Sequence, residues 1–96
     1  MAANIYVSEL LDRYGTLLSE KQYRILDGYY NNDLSLSEIA ENEGITRQGV
    51  GDFVKRSEAQ LIEFEEKLAL VSTAQALKAA AANNDVNEIL NIIDKL

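Results

Sequence analysis

No proline interrupts the 96 residues of this chain, and only five glycines do. Proline breaks a helix by removing a backbone donor and clashing with the preceding turn, and glycine weakens one through backbone entropy. Leu, Ala, Glu, Lys, Gln and Arg, the better helix formers, fill much of what remains. An all-α chain is therefore expected. A hydrophobic fraction of 47% is enough for one core, and the length suits one small domain spanning residues 1–96.

The same composition excludes much chemistry. There is no cysteine and no histidine, which removes disulfides, thiolate nucleophiles, the usual general base and the commonest metal ligand. Glu63, Glu65 and Glu66 beside Lys67 look like a carboxylate cluster. Successive helical positions point in different directions, however, so a solvated helix face is expected there instead of a metal or acid–base site. The five tyrosines fall on helical faces with Leu and Ile and are expected in the core or at an interface. No catalytic residue, metal or cofactor is expected, and the protein is not expected to be an enzyme. The opening MAANIYVSELLDR lacks the basic-then-apolar pattern of a signal peptide. No apolar run approaches the ~20 residues that cross a bilayer. The expectation is a cytoplasmic protein without membrane insertion.

Periodicity and capping residues divide the chain. Leu10, Leu11, Tyr14, Leu17 and Leu18 recur at helical spacing within a first stretch, 5–18, whose last turns Gly15 weakens. Ser19 with Gln22 makes a capping-box start for a second helix, which the cluster Asn31-Asn32-Asp33 ends. Ser35 with Glu38 caps a third, and Gly44 stops it. Thr46 caps a fourth, predicted to run to about Val71. Asp85 with Glu88 starts a last helix whose Val86, Ile89, Leu90, Ile93 and Leu96 line one face.

Residues 35–56, SLSEIAENEGITRQGVGDFVKR, carry the most specific pattern. Two helices that cross closely need a small residue in the first, and Ala40 supplies it. The tight turn between them needs positive φ four residues later, where Gly44 stands. Ile45 and Val50 then face inward, and Ile39 with Phe53 complete the wedge. This spacing predicts a helix-turn-helix core over about 17–57, followed by a long helix and a C-terminal oligomerisation segment over about 58–96.

If the fourth helix enters a DNA groove, Thr46, Arg47, Gln48, Gly51 and Asp52 face it, with Lys55 and Arg56 a turn later. Arg47 suits guanine and Gln48 adenine, while Lys55, Arg56 and the Thr46 hydroxyl suit phosphates. Charge supports this only locally. Residues 44–57 hold three basic groups and one acid, a net +2, whereas the whole chain carries −7 and the remainder therefore −9. Gly49 and Gly51 also thin the proposed surface.

The segments LSEKQ at 18–22, YYNNDLSLSEIAE at 29–41, TRQ at 46–48, KR at 55–56 and EFEEKL at 63–68 together resemble the YlxM family. These are small proteins of Gram-positive bacteria and their relatives, related to region four of sigma factors. The chain departs from the family at Gly49 and Gly51, where members carry larger residues, often Ala and Tyr. The resemblance implies an all-α, sigma-region-four-like fold and a regulatory role. It also implies participation in the signal-recognition-particle pathway, an association that rests on gene neighbourhood. Two partner classes follow: duplex DNA, or protein and RNA components of that particle.

The stripe Leu61, Phe64, Leu68 and Val71 and the terminal face containing Ile89 and Ile93 exceed what a small core should cover. Either the final helix packs back on the long one or both meet a second chain; a homodimer packed through these six positions is the expectation.

Overall fold

Each predicted helix start is a working cap. In the computed structural model, which describes residues 4–96, six α-helices succeed one another: α1 (Ile5–Tyr14), α2 (Glu20–Tyr30), α3 (Leu36–Glu43), α4 (Arg47–Leu68), α5 (Leu70–Ala82) and α6 (Val86–Asp94). The described residues contain no strand, so the chain is all-α. Residues 1–3, the start of the MAANIYVSELLDR segment, lie outside the described part. Ser19 and Ser35 form full capping boxes with Gln22 and Glu38. The Thr46 and Asp85 side chains accept from the amides of Gly49 and Glu88. Each such cap is worth about 1 kcal/mol. α1 is shorter than its periodicity suggests. It stops at Tyr14, and a 3-10 turn over Gly15–Leu17 leads to Leu18.

The core lies where α1, α2 and α3 meet the first two-thirds of α4. Leu10, Leu11, Tyr14, Ile25, Leu26 and Val50 are almost fully buried there, as is Leu61 at 0% exposure. Each fully buried Leu, Ile or Val contributes roughly 1.5–3 kcal/mol. Ser57, within the same α4 stripe, is buried and receives a 3.4 Å hydrogen bond from Gln22 Nε2. Of the five tyrosines, Tyr14 is buried, while Tyr29 and Tyr30 are half-buried against the core and stack edge-to-face on each other. Tyr6 and Tyr23 are more exposed than their helical faces suggest, and Tyr23 lies over Gly15.

α4 does not continue to Val71. Ala69 adopts a left-handed conformation, φ 52°, and α5 begins at Leu70 in a new direction. The first amide groups of α5 find acceptors outside their own helix. Leu70 N donates to Tyr14 Oη at 2.9 Å, and Val71 N and Ser72 N donate to the two carboxylate oxygens of Glu65 at 3.0 and 2.9 Å. Tyr14 Oη donates to Glu65 Oε1 at 2.6 Å. Glu65 is thus a buttress at the helix junction and not part of a solvated acidic face. Glu63 and Glu66 do face solvent, and Glu63 pairs with Lys67.

This break corrects the expected dimer stripe. Leu61 and Val71 are buried within one copy, and Phe64 is half-buried with its ring 6.0 Å from that of Tyr14. Leu68 and Ile93 remain exposed, and Ile89 is half-buried. α5 and α6 form a hairpin in which α5 lies beside α1 and α4, with Val71 buried and Gln75 Nε2 donating to the Glu9 carboxylate, and the longest dimension of the molecule is 53 Å. No helix among the described residues is long and apolar enough to cross a membrane.

Candidate nucleic-acid interface

The turn between α3 and α4 has the geometry its spacing demands. Gly44 sits at φ 70°, ψ 31°, and its amide donates to the Ala40 carbonyl as the α3 cap. Ile39, Ala40, Val50 and Val54 are buried where the two helices cross. Phe53 and Ile45 are half-buried at the edge of that wedge. A bidentate ion pair ties α2 to the end of α3: Arg24 Nε and Nη2 each lie 2.8 Å from a Glu43 carboxylate oxygen. The Arg24 guanidinium holds the Glu43 carboxyl below the usual carboxylate range.

Because Val50, Val54, Ser57 and Leu61 define the buried side of α4, the opposite side follows from 3.6 residues per turn. Gln48, Asp52 and Lys55, spaced four and three apart, form the outermost line, and all three are exposed. Arg47 and Arg56 are exposed too, but they stand on opposite flanks of that line. Arg47 closes a shallow hollow with Tyr29, Leu34 and Leu36 beside the start of α3. The Arg56 guanidinium lies 5.8 Å from the centre of the Phe53 ring. Thr46 Oγ1 accepts from Gly49 N at 3.0 Å, which leaves its hydroxyl hydrogen to donate outward. The six predicted site residues are therefore all exposed, with Gln48, Asp52 and Lys55 on one line of α4 and Arg47 and Arg56 on its two flanks.

A seventh belongs with them. Lys21 Nζ, from the first turn of α2, lies 5.6 Å from the centre of the same Phe53 ring. Two cations over one aromatic ring form an arrangement worth roughly 0.5–1 kcal/mol per cation at exposed sites. Nothing in the spacing of Lys21 pairs it with Phe53, thirty-two positions away; only the packing of α2 on α4 does. The two glycines of this surface differ. A Cβ at Gly49 would come within 3.1 Å of Thr46 Oγ1, whereas one at Gly51 would meet open space.

A family model described as "Putative helix-turn-helix protein, YlxM / p13 like" matches residues 1–93. The chain belongs to this family, UPF0122. Its relatives include a UPF0122 protein of Clostridium kluyveri, 43% identical over 96 residues that span all of this chain and 82% of the relative. One from a Thermoanaerobacter strain is 45% identical over 92 residues, covering 96% of this chain and 68% of the relative. Another, from Acetivibrio thermocellus, reaches 60% identity over 62 residues, 65% of this chain and 53% of the relative. The membership accords with the bihelical crossing at Ala40 and Gly44, and helices are the only regular elements among the described residues.

Proposed function

We propose that this UPF0122 protein is a DNA-binding regulator that reads duplex through the first turns of α4, and that its role is binding and not catalysis. The observation that carries the reading is the exposed line Gln48, Asp52 and Lys55, flanked by Arg47 on one side and by Arg56 with Lys21 on the other. A helix seated in the major groove needs polar side chains toward the base edges and cations toward both walls. Gln48 suits adenine and Asp52 can accept from cytosine N4. The flanking cations suit phosphates on the two strands, with the Thr46 hydroxyl as a further donor. Arg47, on a flank, suits a phosphate or the nearest guanine.

Fluorescence anisotropy against mixed-sequence duplex tests this. Four cations per copy predict a slope of log K against log salt of about −3.6, reduced by about 0.9 in Lys55→Ala. Absence of binding at about 50 mM salt, where such contacts are strongest, removes the reading.

A second reading has one observation in its favour. Outside residues 44–57 the chain carries −9, which repels a phosphate backbone and suits a basic protein surface. Through the resemblance to YlxM proteins, that surface would belong to a component of the signal recognition particle. Co-precipitation with the particle's GTPase and RNA, undiminished by Lys55→Ala and Arg56→Ala, would support it over the first.

A further inference from the structure

α6 carries an apolar stripe that its own chain leaves uncovered. Val86, Leu90, Ile93 and Leu96 are 49–79% exposed. Positions 86, 89, 93 and 96 alternate three-and-four spacing, the seam along which one helix receives another. At roughly 100 Å² of exposed apolar surface each for these four, and about half that for the half-buried Ile89, the stripe offers on the order of 450 Å². A standard homodimer interface buries ~800 Å² per partner, about 65% of it apolar, or ~500 Å². The stripe supplies most of what such an interface requires.

Charge chooses the occupant. Residues 1–69 hold seven basic and thirteen acidic groups, a net −6, while residues 70–96 hold two basic and three acidic, a net −1. Two bodies of like charge repel, so copies can approach only where the charge is nearly absent, along the α5–α6 hairpin. An anionic bilayer surface is a poorer occupant, because the polar side of α6 holds Glu88 and Asp94 against one cation, Lys95.

We propose that α6 of a second copy covers this stripe, so that two α5–α6 hairpins pair about a two-fold axis into a four-helix bundle with the two heads at its ends. The proposal stands whether or not the heads bind DNA.

Sedimentation at about 50 µM should give twice the 10.7 kDa chain mass, and Ile93→Asp should return it to the chain mass. Leu17→Asp, equally exposed but on the body, should leave the dimer intact. Since the chain has no cysteine, Ile93→Cys should cross-link to itself on oxidation while Ser37→Cys on α3 should not. Because Ile93 is 49% exposed and lies outside the buried core cluster, the melting transition of the body should survive Ile93→Asp. A monomer at that concentration, or a dimer unchanged by Ile93→Asp, overturns the proposal.

Discussion

A methyl group added at Gly44 or at Gly51 would meet no atom within 4 Å, so backbone conformation alone decides what each substitution does. Gly44 holds φ 70°, where a Cβ costs roughly 1–2 kcal/mol. Gly51 lies inside α4 in ordinary helical conformation, where glycine is about 0.5–1 kcal/mol worse than alanine. Gly44→Ala should therefore lower the unfolding free energy by about 1–2 kcal/mol. Gly51→Ala should raise it by about 0.5–1 kcal/mol, both read from urea unfolding. The second variant also asks what Gly51 is for. A stability gain with unchanged duplex affinity makes Gly51 a simple weakness in the helix. A gain in stability with a loss of affinity places DNA close to the bare backbone. Ala69 is the mirror of Gly44: a left-handed position that holds an alanine, and so one with no mark in the sequence.

The junction between α4 and α5 shows how much of an element's ending lies outside the element. Burial pushes the Glu65 carboxyl up, but hydrogen bonds from Tyr14, Val71 and Ser72 outweigh it and hold the group below its ordinary 4.5. A carboxyl depressed in the folded state contributes stability that is present above the unfolded value. That stability is lost as pH falls from about 4.5 through the folded value. Acid titration of stability should therefore be shallower in Glu65→Gln than in the unaltered chain. The remaining slope belongs largely to Glu43 and Glu38, whose carboxyls Arg24 and Ser35 likewise hold down. Equal slopes would place the junction's stability elsewhere. Tyr14→Phe, which strands Leu70 N and removes one of the two donors to Glu65 Oε1, should cost about 1–3 kcal/mol. The helix starts were legible in the sequence because Ser19, Ser35, Thr46 and Asp85 act on amides three positions away. The same locality made the Ala40–Gly44 turn readable, and with it the exposed residues of α4. The break at Ala69 was not legible, because Tyr14 reaches it from fifty-six residues before Leu70. Nor was the pairing of Lys21 with Phe53, which depends on how α2 lies against α4. Periodicity likewise placed Leu61 and Val71 on an apolar stripe without revealing that the bend at Ala69 turns that stripe back onto the core.

At the scale of the molecule, charge and shape set the terms on which a −7 chain can hold a polyanion. One head presents four cations, Lys21, Arg47, Lys55 and Arg56, fewer than the 6–10 phosphate contacts of a strong duplex binder. Two heads joined through their hairpins present eight. Counterion release then predicts slopes of about −3.6 for a single head and about −7 for a joined pair. Ile93→Asp leaves the cations of the head in place and should remove the pairing alone. Its slope on a long duplex should fall to about half that of the unaltered chain, and its affinity at about 50 mM salt should drop by more than tenfold. If the two proteins share one shallow slope while sedimentation still separates dimer from monomer, each duplex engages a single head. In that case the two-fold axis of the hairpins does not direct both α4 surfaces toward the same groove face. A steep slope in both would instead assign the phosphate contacts to residues beyond the four named. The proposed dimerisation and the proposed DNA engagement thus fail by different signatures, because the first would use the near-neutral hairpin and the second the cations of the head.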